Sequence, residues 1–158
     1  MKVIGIDQAS HTGFAVIRDG ELVKSGTQVF SGDLAKRLSG FLKWFRELVF
    51  DELPDFVVFE KPHFRGYAAT ISGSALIGLI QLVCYETGVA CEGVHSATLK
   101  KAATGYGRAT KKAMTAAAND KEGTKLKVKE NNDEADAIHL ALNGEKLWKT
   151  KSKKSRSK

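Results

Sequence analysis

Four acidic residues stand where a carboxylate could do chemistry: Asp7, Glu60, Asp133 and Asp136. Asp7 and Glu60 each end an apolar, strand-like stretch, where a charge is costly unless a cation matches it. Asp133 and Asp136 are three residues apart at the start of an expected helix, so they share one helix face. The structural alternative for this pair is that acids at a helix start stabilise its dipole.

Together these carboxylates suit the hydrolysis of a phosphodiester. In-line cleavage needs an attacking hydroxide and a stabilised leaving oxygen, and two Mg²⁺ ions about 3.5–4 Å apart supply both. Hard cations choose carboxylate oxygens as ligands, and Mn²⁺ is the alternative ion. We expect Asp7, on the innermost strand, to bridge the two ions. Cys84 and Cys91 lie in apolar segments without a neighbouring base, which indicates buried free thiols rather than nucleophiles.

The net charge of +7 is distributed in blocks along the 158 residues. Residues 1–99 hold nine Lys and Arg against eleven Asp and Glu, and residues 100–129 hold nine against two. Residues 130–145 hold five acids and no Lys or Arg, whereas residues 146–158 hold seven basic residues and no acid. An acidic block between two basic ones indicates a metal site beside a polyanion-binding surface. Nucleic acid is therefore the expected partner.

The length and the hydrophobic fraction of 42% are typical of one soluble domain. No apolar run reaches the roughly 18 residues that cross a bilayer, and the N-terminus does not resemble a signal peptide. A cytoplasmic protein without a membrane partner is expected. We place the folded domain at residues 1–145. The tail at 146–158 repels itself and is expected to be disordered, serving either to track DNA or to keep the chain soluble.

The elements that would position the acids follow from the apolar patterning. Three consecutive antiparallel strands are expected at residues 2–6, 13–18 and 21–30, because Asp19-Gly20 is a strong hairpin turn. Ser31 is expected to cap the helix that follows. Two further strands, four more helices and a mobile polar loop complete an α/β fold with a mixed five-stranded sheet. Their expected ranges are residues 55–59 and 89–94 for the strands, 67–86, 97–103 and 108–119 for helices, 121–132 for the loop and 133–142 for the last helix.

Four motifs in chain order resemble the RuvC-like Holliday junction resolvases. The resemblance covers roughly residues 2–143 and implies an RNase H-like fold and a homodimer. It also implies Mg²⁺-dependent paired nicks in opposed strands of a four-way DNA junction, as in recombination and repair. The motifs are Gly5-Ile6-Asp7 followed by Gly13, then Phe59-Glu60-Lys61-Pro62, the basic segment 99–112, and Asp133-Glu134-Ala135-Asp136-Ala137.

The same resemblance assigns residues that would contact DNA. Lys100 and Lys111 match two lysines that lie near the scissile phosphate, and point charges there fix register without reading bases. The structural alternative is a solvated basic helix face. Phe64 matches an aromatic residue that stacks on bases exposed at the junction, unless it is a core residue. The remaining expected DNA contacts are Arg65, Lys101, Arg108 and Lys112.

Two departures from the bacterial pattern point to a phage or divergent member. Residues 8–10 are Gln-Ala-Ser where Pro-Gly-Ser is usual, and the tail is rich in lysine. Forked and flapped DNA therefore stay open as substrates, as does a branch-migration motor as partner. Such a protein would work in the bacterial cytoplasm or in a phage-infected host cell. His139 could assist a liganding acid, but a helix-packing role is favoured.

Three other functions compete. An RNase H-like nuclease acting on RNA–DNA hybrids or flaps would be expected to be monomeric. A sugar-kinase or actin-like ATPase needs a duplicated domain and a second phosphate loop, for which 158 residues are too few. A non-catalytic junction-binding protein gains nothing from a cluster of anions facing phosphates.

Overall fold

The structure is a computed structural model that describes residues 1–62 and 66–155, with side chains described as far as residue 150. Five strands and five helices follow one another along this part of the chain. They are β1 (Lys2–Asp7), β2 (His11–Arg18), β3 (Glu21–Val29), α1 (Leu34–Glu52), β4 (Phe56–Glu60), α2 (Tyr67–Thr87), β5 (Ala90–Val94), α3 (Ser96–Thr104), α4 (Lys111–Glu122) and α5 (Val128–Ser155).

The strands form one mixed sheet in the order β3-β2-β1-β4-β5. The first three strands are antiparallel, whereas β4 runs parallel to both β1 and β5. The β2–β3 turn has Asp19 and Gly20 at positive φ, as a tight Asp-Gly hairpin requires. The predicted fold class is therefore confirmed, including the antiparallel start of the sheet.

Helices cover both faces of this sheet. Successive side chains of a strand point to opposite faces, so the apolar strands β1 and β4 contribute to two separate cores. Val3 and Val58 pack with α3, α4 and α5, and we call this side the α5 face. Ile4 and Val57 pack with α1 and α2, and we call this side the α1/α2 face. The core of the α1/α2 face is rich in aromatic residues, with Phe41, Phe45 and Trp44 in mutual ring contact.

Glycines let α5 lie unusually close to the sheet. A Cβ added at Gly13 would overlap the carbonyl of Asp133, and one at Gly5 would overlap the carbonyl of Ala137. Gly144 makes the same approach from the helix side, against Val58. Because the obstructing atoms at Gly5 and Gly13 are backbone, no side-chain rearrangement could make room for a larger residue. These glycines set the distance between helix and sheet.

Local chemistry explains where the first helix begins. Asp33, not Ser31 as expected, is the N-cap of α1, since its side chain accepts a hydrogen bond from the Lys36 N–H at 2.8 Å. Leu53 ends α1 in the left-handed conformation immediately before Pro54. The strand predicted at residues 55–59 is found one residue later, at Phe56–Glu60.

The loop before α5 is shorter than the mobile loop predicted at 121–132. α4 continues to Glu122 and α5 begins at Val128. The Asn119 side chain accepts hydrogen bonds from the Leu126 N–H and the Thr124 hydroxyl, both at 2.8 Å, and donates one to the Leu126 carbonyl at 3.1 Å. One amide therefore closes the loop, which sequence periodicity does not reveal.

The tail predicted to be disordered from residue 146 is instead helical to Ser155, as the last turns of α5. Leu147 and Trp148 pack against the α5-face core, and the Trp148 ring lies 5.2 Å from the ring of Phe56. Glu145 is buried and pairs with the Lys149 ammonium at 2.6 Å. Apolar anchoring and this ion pair continue the helix into the basic segment. The domain boundary at 145 thus falls inside a helix.

Helix α2 departs from the expectation that no apolar segment is long enough to cross a membrane. By length and composition alone it qualifies, with a mean hydropathy of 1.6, although such a helix is weak evidence for a membrane span. Gly, Ser and Thr residues interrupt the apolar run, but they are uncharged, so the mean hydropathy of the helix stays high, which explains the difference. One side of α2 is buried against α1 and β5, and only 22% of the apolar window is buried.

Both cysteines are free thiols, as predicted. Cys84 is buried and Cys91 is half-buried on the α1/α2 face. Neither cysteine lines the cleft at the sheet edge where β1 and β4 end.

Candidate active site

Asp7 and Glu60 end two neighbouring parallel strands. Ile6 pairs with Phe59 in the sheet register, so the next residue on each strand is the acid. Parallel strands end at the same edge of a sheet, which places the two carboxylates side by side. Side-chain alternation also directs both toward the α5 face, since Val3 and Val58 already point there. Glu60 is 8% exposed, a degree of burial that is uncommon for a carboxylate.

Helix α5 brings Asp133 and Asp136 to this edge. The close contact at Gly13 sets Asp133 beside the end of β1, because Gly13 is the sheet partner of Asp7. The helix start is further fixed by Glu134, which accepts a hydrogen bond from the Ser25 hydroxyl at 2.6 Å. The Asn132 amide donates to the carboxylate of Asp133. The four acids therefore meet because two strand ends coincide with the part of α5 that follows the non-helical residue Asn131.

A cleft of about 480 Å³ opens at this edge. All four acids line it, and we call Asp7, Glu60, Asp133 and Asp136 the acidic cluster. Lys100 from α3 and Lys111 from α4 line the same cleft. The six residues singled out as catalytic from the sequence are thus brought together, as expected. The lining of the cleft also includes Gln8, Ser10, Arg37, Ser72 and Met114.

The carboxylates of the acidic cluster are close enough to affect one another's ionisation. Burial, followed by repulsion from Glu60, raises the pKa of Asp136 to about 6. Asp133 adds to the repulsion, whereas the Lys111 and Lys100 ammonium groups oppose it. A carboxylate crowded by others favours any bound cation, since a cation removes the repulsion.

The donor set fits a hard divalent cation. All four members of the cluster offer carboxylate oxygens. Burial first, and then repulsion from Glu60, raises the pKa of Asp136, and a cation would relieve the repulsion. Within residues 1–62 and 66–155, no group of three His, Cys, Asp or Glu side chains already has the spacing of a formed metal site. The cluster thus lines one cleft without forming a closed cage, and its side chains would have to converge on an ion.

The two lysines of the cleft come from a pair of short helices. Lys111 is the first residue of α4, where the Thr110 hydroxyl accepts a hydrogen bond from the Ala113 N–H at 3.2 Å. Lys101, Arg108 and Lys112 are exposed on the same α3–α4 segment but do not line the cleft. Phe64 and Arg65, the other predicted DNA contacts, lie outside the described residues.

His139 packs between helices, which supports the favoured interpretation. It is 4% exposed, and its Nε2 donates a hydrogen bond to the Met114 carbonyl of α4 at 2.8 Å. Burial lowers the pKa of His139, although the bond to Met114 opposes that shift. The residue joins α5, which carries two acids, to α4, which carries Lys111.

Three residues near the cleft have structural positions to which the sequence analysis assigned no role. The Gln8 amide donates a hydrogen bond to the Glu60 carbonyl at 2.7 Å, so the departure from the Pro-Gly-Ser pattern ties β1 to the end of β4. Glu134 anchors α5 to β3 through Ser25. Arg37 reaches the cleft from α1. Only the tertiary structure places these side chains.

A family model described as crossover junction endodeoxyribonuclease RuvC matches residues 3–143. The chain belongs to the RuvC family. It is accordingly a Holliday junction resolving endodeoxyribonuclease, and nucleases of this kind depend on a metal ion. No curated protein sequence matches the chain.

Solved structures show the same RNase H-like fold. Thermus thermophilus RuvC in complex with a Holliday junction substrate is 22% identical, with a TM-score of 0.79 over 90% of this chain and 91% of that chain. The yeast mitochondrial Holliday junction resolvase Ydc2 is 12% identical, with a TM-score of 0.65 over 89% and 75%. Fowlpox virus resolvase in complex with substrate Holliday junction DNA is 14% identical, with a TM-score of 0.63 over 90% and 95%.

Proposed function

We propose that this RuvC-family chain binds Mg²⁺ through the acidic cluster and nicks two opposed strands of a four-way DNA junction at symmetric positions. The observation that carries the proposal is the convergence of four carboxylates and two lysines in one cleft. Acids alone would repel DNA, and lysines alone would only bind it. The combination suits a phosphate held by ammonium groups beside ions held by carboxylates.

Each residue has a distinct task in this mechanism. The carboxylates of the acidic cluster would hold divalent ions, which would supply an activated water and stabilise the leaving oxygen. Asp7 ends the central strand β1, next to β4 with Glu60, and would be a ligand shared by two ions. Lys100 and Lys111 hold the scissile phosphate over the cluster and oppose protonation of Asp136. An ion would need Asp136 ionised, and these lysines favour that ionised form, although their own positive charge opposes a cation.

Cleavage of a panel of DNA substrates tests the proposal. The panel holds a four-way junction, a fork, a flap, an RNA–DNA hybrid and a duplex, with Mg²⁺ or Mn²⁺ and with every cut site mapped. We expect paired cuts at symmetric positions of the four-way junction and little cleavage of the hybrid or duplex. Preferred cutting of forks or flaps would instead assign a broader branched-DNA nuclease.

Asp7→Asn isolates the role of the cluster. We expect cleavage to fall by about a thousandfold or more, because loss of a shared metal ligand removes several kcal/mol of transition-state stabilisation. Junction binding should persist or strengthen, since one negative charge facing the phosphates is gone. Asp120→Asn makes the same charge change at an exposed site on α4 and should cleave normally. Junction cleavage by Asp7→Asn at the wild-type rate would refute the metal assignment.

We also infer that two copies associate through the outer face of α2. This face exposes Tyr67, Ile71, Leu82 and Tyr85, with Tyr85 87% exposed, although the helix is strongly apolar. Exposed apolar patches of this kind mark interaction sites. Two symmetric cuts also require two active sites, and each chain supplies one cleft at its sheet edge.

Light scattering on size-exclusion fractions tests this dimer. Wild type is expected to elute as a dimer, and Leu82→Lys as a monomer, because a charge at a packed apolar face is strongly unfavourable. Val23→Lys is the matched control, since Val23 is also half-exposed but lies on the edge strand β3. A wild-type monomer, or a Leu82→Lys dimer, would overturn the interface.

A further inference from the structure

Arg37 is a half-buried residue of α1 whose side chain lines the cleft near Ser10 and Ser72. Its Nε is buried and has no hydrogen-bond partner. No carboxylate pairs with its guanidinium among the described residues. Arginine is always charged in proteins, and buried polar atoms nearly always have partners. The guanidinium is therefore available to an anion from outside the chain.

The second arginine of α1 shows what a structural partner looks like on this helix. Arg46 donates to both carboxylate oxygens of Glu86, at 3.1 and 3.0 Å, and so joins α1 to α2. Arg37 lies on the same helix without such a partner. Packing of α1 against α2 therefore does not account for a charged residue at position 37.

The location of Arg37 complements that of the lysines. Lys100 and Lys111 reach the cleft from helices on the α5 face, whereas Arg37 reaches it from the α1/α2 face. The acidic cluster lines the same cleft at the sheet edge, so cationic side chains enter this cleft from both sides of the sheet. α2, the other helix on the side of Arg37, contains no Lys or Arg. A DNA strand that crosses the edge would meet positive charge before and after the cluster.

We propose that Arg37 binds a phosphate of the cleaved strand that neighbours the scissile phosphate, on the α1/α2 side of the cleft. The inference rests on the proposed function. A guanidinium can donate two parallel hydrogen bonds to one phosphate, and the Ser10 and Ser72 side chains offer hydroxyl donors in the same part of the cleft. Phosphates on both sides of the cut would then be fixed, which sets the register of the strand over the acidic cluster.

The salt dependence of junction binding measures this contact. Binding of a labelled four-way junction is followed by fluorescence anisotropy in EDTA over a range of KCl concentrations. Each lost phosphate contact lowers the slope of log K against log [KCl] by about 0.9. We expect Arg37→Gln to lower the slope by about one unit and leave the melting temperature at or above the wild-type value. Lys43→Gln, which removes one charge from an exposed part of α1, should keep the wild-type slope and the wild-type melting temperature.

Arg37→Lys provides a second test, which remains informative even if Arg37→Gln does not fold. It keeps the charge but loses the paired donors, so we expect the wild-type slope with several-fold weaker binding. Wild-type affinity and slope in both Arg37 variants would overturn the assignment, as would a lower melting temperature with an unchanged slope in Arg37→Gln. If Arg37→Gln does not fold, wild-type affinity in Arg37→Lys is the overturning result.

The wild-type chain separates this inference from the proposed function. A wild type that binds and cuts the junction, with an Arg37→Gln variant that keeps the full slope, overturns only the phosphate contact. A wild type that does not cut the junction overturns the proposed function, whatever the behaviour of Arg37.

Discussion

The two faces of the sheet are built on different principles. On the α5 face, Gly5 and Gly13 bring a helix into contact with strand backbone, and polar side chains such as His139 are buried there. On the α1/α2 face, aromatic rings keep the helices at a distance and fill the space. Backbone contact leaves little freedom, whereas side chains can adjust. The acidic cluster depends on the rigid face, and the proposed dimer surface belongs to the adaptable one.

Gly13→Ala should produce the largest effect. A Cβ at this position overlaps backbone atoms of Asp133, so α5 must move away from β2. We expect a loss of about 3 kcal/mol in the free energy of unfolding and loss of junction cleavage, because overpacking in a rigid contact cannot be relieved locally. Urea denaturation and a junction cleavage assay measure the two effects. Wild-type stability with full cleavage would show that α5 adjusts as readily as the other face.

Trp148→Ala tests how far the α5 face extends along the helix. The Trp148 ring contacts Phe56 beyond the boundary expected from the sequence, so we expect a loss of about 2–3 kcal/mol on unfolding. Deletion of residues 151–158 is the control and should cost less than about 0.5 kcal/mol, since it removes neither Leu147 nor Trp148. If Trp148→Ala and the deletion both cost less than about 0.5 kcal/mol, residues 146–158 would not be part of the folded domain.

His139→Gln tests the buried polar groups of the α5 face through pH. Burial lowers the pKa of His139 in the folded protein, so the neutral form stabilises the fold above the unfolded value of about 6.5. That stabilisation is lost as pH falls from there through the lowered folded pKa. Glutamine cannot ionise but can still donate to the Met114 carbonyl. We therefore expect the stability of wild type relative to the variant to fall between pH 7.5 and pH 5, by at most about 1.4 kcal/mol per pH unit.

Urea denaturation of both proteins at the two pH values gives the difference directly. Because Asp136 is present in both, its own titration cancels in the comparison. A difference in stability that does not change with pH would show that the pKa of His139 is the same in the folded and unfolded states.

Gly78→Ala should give the smallest change in the free energy of unfolding, and this change should be a stabilisation. Gly78 lies inside α2 with no atom within 4 Å of an added Cβ. Alanine at an unobstructed position inside a helix stabilises by about 0.5–1 kcal/mol. The measurement is made in the monomeric Leu82→Lys background, so that association does not contribute. A destabilisation there would mean that the two faces tolerate added volume equally poorly.

The positions of the four acids could be predicted from the sequence because they depend on local patterns of residues. The strands that end on Asp7 and Glu60 are short apolar runs, and the parallel ends of such strands meet at one edge. The i,i+3 spacing of Asp133 and Asp136 fixes their common helix face. Their convergence in one cleft with Lys100 follows from these rules once the family topology is assumed. Their role as metal ligands remains a prediction.

The features that were missed depend on contacts between distant segments. No apolar residue follows Trp148 in its lysine-rich segment, and its partner Phe56 belongs to another element. Asn119 closes a loop whose polar composition alone suggests mobility. Arg37 looks like an ordinary surface residue of an amphipathic helix until α1 is placed beside the cleft. Long-range packing decides each of these cases, and periodicity does not report it.

The glycine contact has an evolutionary consequence. If one methyl group at Gly13 displaces the acid-bearing helix, the enzyme can be silenced without a change in any carboxylate. Substitutions that preserve function are then restricted at Gly5 and Gly13 as severely as at the acids. In a family whose members have diverged to 22% identity with this chain, a sequence that keeps the four acids but replaces these glycines should be suspected of having lost its nuclease activity.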